Sequence, residues 1–174
     1  MPNWCDNKLT IIGNENKIQA LYDACTKNPE EDRSLLSALR PMPKKLEGTD
    51  LWYDWRTKNW GTKWEVLVHD SPDIQDDGDG TYTLSMGFDS AWNPPVEALI
   101  YYGEKNPDVS IRLDYNEWGN VFCGTLICDK GKHTDKCYDY HNKTSKNVTE
   151  AIGKDLDDVF GISEMMEQWE EEEE

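Results

Sequence analysis

Five residues in the last third of the chain have side chains that zinc selects. Cys123, Cys128, His133, Cys137 and His141 follow the pattern C-x4-C-x4-H-x3-C-x3-H. Structural zinc sites use tighter cysteine pairs on a knuckle turn, usually C-x2-4-C. Cys123 and Cys128 lie five apart on an expected strand, so they face opposite sides. Only His133, Cys137 and His141 could converge, and only if "KGKHTDKCYDYHNK" were helical, which its composition disfavours. No metal ligand is assigned, and no cofactor is expected. Calcium fails as well. An EF-hand loop laid on Asp73 runs through Gln75, Asp77 and Gly78 but puts Leu84 at the twelfth position, where a bidentate Glu is needed. "DIQDDGDG" reads instead as a solvated hairpin turn. His69 beside Asp70 has no nucleophile elbow around it, and no P-loop or Rossmann glycine pattern is present. No catalytic residue is assigned.

The second group with chemical potential is aromatic. Trp55–Val66, "WRTKNWGTKWEV", packs three indoles, an arginine and two lysines into a chain of formal net charge −17. Similar pairings of Trp with a good hydrogen-bonding residue recur at Asn3/Trp4, Asn59/Trp60, Asp89/Trp92 and Glu117/Trp118. Trp4, Trp60, Trp64 and Trp92 are expected to meet at one edge of a sheet, with Arg56 and Lys63 stacked on indole faces. One reading makes this a structural clamp. The other makes it a pocket wall, with Asn3, Trp4, Trp60, Lys63, Trp64, Asp89 and Trp92 as ligand-binding candidates. In that case indoles would hold a nucleobase, Lys63 and Arg56 its phosphate, and Asp89 a sugar hydroxyl.

Hydropathy periodicity defines the elements that must position these residues. "KLTIIG" (Lys8–Gly13) reads as a strand, followed by a helix capped by Asn14 and running to about Lys27. A long irregular insertion, 28–63, includes a short helix at Ser34–Leu39 and a helical stretch ending at Gly61. Trp64–His69 alternates with Trp64, Val66 and Val68 on one side. Thr81–Asp89 is the clearest strand, with Tyr82, Leu84, Met86 and Phe88 on one face. Pro94-Pro95 opens a second helix, and "PDVSIRLDYN" and "NVFCGTLICD" form a hairpin. The order is the α+β, ferredoxin-like split βαβ pattern: an antiparallel sheet with helices on one face. A Trp-rich insertion and an acidic C-terminal extension are added to it.

Four segments carry a more specific signal: "MPNWCDNKLTI", "NWGTKWEV", "FDSAWNPP" and "YNEWGNVFCG". In this order they resemble the YubB ferredoxin-like domain family of small phage, prophage and plasmid proteins. The resemblance spans roughly residues 1–130 and implies a ferredoxin-like fold and a mobile-element origin, but no reaction and no ligand. The expected organisation is thus a ferredoxin-like domain over 1–130 and an extension over 131–174, the latter with no family reading.

Charge narrows the function. Residues 151–174 hold ten carboxylates and one lysine. Such a surface repels phosphate backbones and anionic lipid. RNA recognition on the open sheet face is also disfavoured, because that face shows Thr81, Thr83 and Ser85 instead of aromatics. No stretch is long and apolar enough to span a membrane, and no secretory leader is visible, so the host cytoplasm is expected. The partner these features fit is a host or defence protein with a basic surface. The residues expected to meet it are Asp155, Asp157, Asp158, Glu164, Glu167 and the run Glu170, Glu171, Glu172, Glu173, Glu174. A non-enzymatic accessory protein that modulates or inhibits such a partner by imitating nucleic acid is the leading expectation. The alternative is a small-ligand or nucleotide-binding domain.

Overall fold

The computed structural model describes residues 3–26, 35–68 and 72–172. Several expected features fall outside them: the helix end at Lys27, the start of the insertion with Ser34, the His69–Asp70 pair, Glu173 and Glu174.

Strand β1 (Trp4–Gly13) buries Cys5, Asn7, Leu9 and Ile11 and alternates them with Trp4, Asp6, Lys8 and Thr10. It starts four residues before the expected strand, because its first inward positions include the polar Asn7. Helix α1 (Glu15–Thr26) is capped by Asn14, whose Oδ1 accepts the Lys17 N–H at 3.1 Å. Helix α2 (Leu35–Leu39) turns three leucines inward. A 3-10 turn (Lys44–Leu46) and helix α3 (Leu51–Trp60) follow, and α3 stops at Gly61 with φ 88°. Then come β2 (Leu67–Val68), β3 (Asp73–Asp76), β4 (Tyr82–Ala91), α4 (Val96–Lys105), β5 (Ser110–Glu117), β6 (Phe122–Asp129) and β7 (Lys132–Asp139). Three helices end the described residues: α5 (Val148–Ile152), α6 (Lys154–Phe160) and α7 (Ile162–Glu172).

All strands are antiparallel. The sheet runs β2-β4-β1-β5-β6-β7, with β3 also paired to β4. The central β1 lies between β4 and β5, with the hairpin partners β2 and β3 beyond β4. That is the ferredoxin-like arrangement, extended at the far side by β6 and β7. Two expectations are corrected. The strand over Trp64–His69 shrinks to Leu67–Val68 among the described residues, since only these two pair with β4. The supposed turn over 70–80 contains β3, which zips along Tyr82–Ser85.

Helices α1–α4 share one face of the sheet. There Ile18, Leu36, Trp60 and Leu99 pack on Leu9, Leu84, Phe88 and Leu113. The insertion therefore contributes core residues, with Leu35, Leu36, Leu39 and Trp60 all buried. The opposite face of β5 and β6 is covered by α5–α7. Cys123, Tyr140, Val148, Ile152, Leu156, Ile162 and Met166 form a second, smaller core there.

Candidate functional site

The four Trp-bearing segments converge at one end of the sheet, and the contacts between them are mostly backbone. The Trp92 N–H donates to the Asn3 carbonyl at 2.9 Å, and Trp92 adopts φ 70° to do so. A non-glycine residue in that region is strained unless its surroundings hold it there. Thr62 Oγ1 donates to the Ala91 carbonyl at 2.8 Å. A Cβ on Gly61 would lie 2.9 Å from the Pro94 carbonyl oxygen, and one on Gly119 would lie 2.3 Å from the Asn3 amide nitrogen. Asn7, fully buried, shares the two protons of Nδ2 among Cys5 O (2.7 Å), Phe88 O (3.2 Å) and Ser90 Oγ (2.9 Å). Glu117 uses both carboxylate oxygens to accept the Gly119 and Asn120 N–H groups, at 2.8 and 2.7 Å. Glu65 performs the same service for α2, accepting from Leu36 N at 2.7 Å and Ser37 N at 3.2 Å. The polar residues of these motifs thus tie loops to strand ends.

The indoles do not form one cluster. Trp4 and Trp64 touch at 6.2 Å between ring centroids, and Lys63 Nζ sits 3.9 Å from the Trp64 ring centre. Trp60 lies on the α1–α4 side, whereas Trp4 alternates with the buried Cys5 and faces the other way. Trp60 is fully buried, edge-on to Trp55 at 5.9 Å, and its Nε1 donates to the Arg40 carbonyl at 2.8 Å. Arg56 stacks on Trp60 and Trp52, at 4.7 and 5.3 Å. Arg56 and Lys63 therefore sit on different indole groups and do not share one anion. Trp4, Trp64 and Trp92 each remain about 40% exposed. Asp89 is half-buried on the Trp4 side, paired in register with Asp6 and Leu67.

A cleft of about 400 Å³ opens between the end of α3, the start of α4 and the floor of β5–β7. Gly61, Asn93 and Pro94 come to it from the Trp segments; Tyr115, Phe122, Asp135 and Cys137 form its floor. Tyr115 Oη donates to Asp135 Oδ1 at 2.9 Å. The hydroxyl end of the phenol packs against Gly124, where a Cβ would fall 2.3 Å from Oη and 2.4 Å from Lys136 O. Burial drives the Tyr115 pKa far above its ordinary value, with Asp135 adding to the rise. Burial lifts the Cys123 thiol to about 12 and the Cys128 thiol to about 11, and partial desolvation in the cleft raises that of Cys137, although the residue as a whole is exposed. None of these thiols has the depressed pKa of a nucleophile. Nor do the zinc-like residues converge. His133 and Cys137 are four apart on β7, about 13 Å along the strand, and His133 instead faces Glu104 at 3.6 Å. Cys123 and Cys128 belong to the cores on opposite faces.

The sequence carries little sign of this cleft. Tyr115 and Gly124 stand out in "YNEWGNVFCG", but their partner Asp135 sits in β7, every residue of which except Tyr138 is exposed. No hydrophobic alternation marks that strand.

The acidic candidates have different fates. Asp155, Asp158, Glu164, Glu167, Glu170, Glu171 and Glu172 are exposed. Asp158 pairs with Lys154, and Glu170 accepts Ser145 N at 2.9 Å and Ser145 Oγ at 2.7 Å. Asp157 is only 7% exposed, and it accepts hydrogen bonds from Thr149 Oγ1 and, at 2.7 Å, from Ser163 N at the start of α7. Its charge serves the chain itself. Helix α7 buries Ile162 and Met166 and sets Trp169 edge-on against Trp118 at 5.5 Å, so its carboxylates stand on an anchored helix.

Among the described residues, no helix is long and apolar enough to cross a membrane. No curated protein matches the chain. A crystal structure of a protein api92 from Yersinia pseudotuberculosis is similar, at 13% identity over 78% of this chain and 97% of that one, with a TM-score of 0.49. A family model, "Ferredoxin-like domain in Api92-like protein", matches residues 63–173. It runs through the C-terminal helices, which the sequence motifs leave without a family reading. This chain is a member of that family, the ferredoxin-like domain of Api92-like proteins.

Proposed function

We propose that the protein is a non-enzymatic binding module, a YubB-like phage or plasmid accessory factor acting in the host cytoplasm. It engages a basic host protein, defence proteins included, through the acidic side of α6 and α7. One observation carries this reading: Glu164, Glu167 and Glu171 project from a helix whose other side is fixed to the sheet by Ile162, Met166 and the Trp118–Trp169 contact. Carboxylates three and four residues apart on a helix are about 4.5–6 Å apart along its axis, close enough to address successive cations in a groove that normally binds phosphates. Fixing them in advance lowers the ordering cost of association. The formal net charge of −17 adds long-range attraction to a basic partner.

The test is affinity capture from host cells with the full chain and with a Glu164→Gln, Glu167→Gln, Glu171→Gln variant. The full chain should retain a basic protein, and retention should fall steeply as salt rises. The triple variant should lose it. Equal retention by both proteins would overturn the proposal.

A further inference from the structure

The floor of the α3–α4 cleft is rich in acceptors and poor in donors. Tyr115 already directs its hydroxyl proton to Asp135 in a hydrogen bond, which leaves only lone pairs of the phenol oxygen facing the cleft. Asp135 Oδ2 accepts no hydrogen bond among the described residues. Glu97 brings a second, exposed carboxylate to the wall, and α3 ends here at Gly61, so the negative end of its dipole faces the same space. Phe122 and Tyr115 supply ring surface, with centroids 6.3 Å apart. Against this, Lys58 stands on the wall and α4 begins beside it with its positive end. Glu97, in the first turn of α4, offsets that end.

We propose that this cleft receives an arginine side chain of the basic partner. A guanidinium is planar, carries five N–H donors and no acceptor, and can stack on an aromatic ring while a carboxylate takes its edge. Those properties complement the Tyr115–Asp135–Phe122 floor, and about 400 Å³ is within the usual range for an occupied site. The inference rests on the partner's being basic, but it concerns the face of the sheet opposite α6 and α7.

The thiol of Cys137 lines the cleft and is exposed, whereas Cys5, Cys123 and Cys128 are buried. Its alkylation by iodoacetamide at alkaline pH, followed cysteine by cysteine by mass spectrometry on the full chain, reports occupancy. N-acetyl-arginine amide should slow the reaction, and the isosteric, uncharged citrulline amide should not. Asp135→Asn should weaken that protection about tenfold, the loss expected for one hydrogen bond between charged groups. Glu97→Gln, which touches no structural hydrogen bond among the described residues, should weaken it in the same direction. The triple glutamine variant on α7 should leave protection unchanged. Equal protection by citrulline, or protection unaffected by both Asp135→Asn and Glu97→Gln, would overturn the arginine site and leave the α7 reading standing. Equal capture of the host protein by the full chain and the triple variant, with arginine protection intact, would do the reverse.

Discussion

Beneath α1–α4 the sheet offers Leu9, Ile11, Leu84, Phe88 and Leu113, each at most 1% exposed, and the helices answer with Ile18, Leu36, Leu99 and Trp60. Beneath α5–α7 it offers Cys123 and the amide of Asn116, and the answer is partly polar. That amide lies 2.7 Å from the Tyr140 hydroxyl, 3.2 Å from the Phe122 carbonyl and 3.2 Å from Trp118 Nε1. These partners assign its nitrogen to the first two and its oxygen to the indole. Asp157 then joins α5 to α7 through Thr149 and Ser163, and Ser145 reaches across to Glu170. Apolar burial is strong but tolerant of direction. A buried polar contact adds little net energy and fixes geometry closely. The first layer therefore supplies most of the stability, while the second supplies a position.

The sharpest way to break this contrast is Trp60→Ala. Removing a fully buried indole should cost about 3–5 kcal/mol, and chemical denaturation should show both layers melting together at lower denaturant. Survival of α5–α7 after such a loss would mean that the second layer folds on its own. Tyr140→Phe should cost about 1–3 kcal/mol, because it leaves the buried Asn116 nitrogen short of a partner. Amide hydrogen exchange should quicken in α5–α7 and stay unchanged in α1 and α4. An even change across the chain would contradict separate attachment.

Acidification offers a gentler probe. Burial by itself raises the Asp157 pKa, but hydrogen bonds from Thr149 and Ser163 outweigh it, so the folded value is below the ordinary one. A depressed carboxylate contributes stability that is complete above the unfolded value, about 3.9, and is lost as pH falls through the folded value. Below about pH 4 the second layer should loosen before the first, and Asp157→Asn should flatten that dependence. The smallest effect belongs to Lys63→Ala. Its contact with the part-exposed Trp64 is of the kind that contributes about 0.5–1 kcal/mol, and the midpoint of unfolding should barely move.

The sequence reveals these regions unequally, and the reason is physical. Tyr82–Ala91 is legible because one face of it is buried, so the period of two appears in the residue types. β3 ("DIQD") and β7 ("KHTDKCYD") are held by backbone pairing to β4 and β6. With almost nothing buried they leave no hydropathy trace. Without β7 there is no Asp135 beside Tyr115, and the cleft has no floor to predict. The acidic end shows an intermediate case. An apolar stripe over Leu156–Trp169 is visible, but Gly161 at φ 63° breaks it into two helices, which leaves Val159 and Met165 outside and turns Ile162 in. The motif tryptophans mislead in another way. Residue type alone cannot tell a core indole such as Trp60 from a surface one such as Trp4, and neighbouring positions in a motif can fall on opposite faces of a strand.

The edge-on contact between Trp118 and Trp169 gives the molecule an optical gauge of its own. Two indoles 5.5 Å apart are near enough for their transitions to mix, and one ring rides on α7 while the other belongs to the β5–β6 hairpin. Their joint near-ultraviolet dichroism would vanish when the helix lifts away, while Trp60 on the far side of the sheet kept its emission. Undocking of the acidic helix by a partner would thus be visible without any added label.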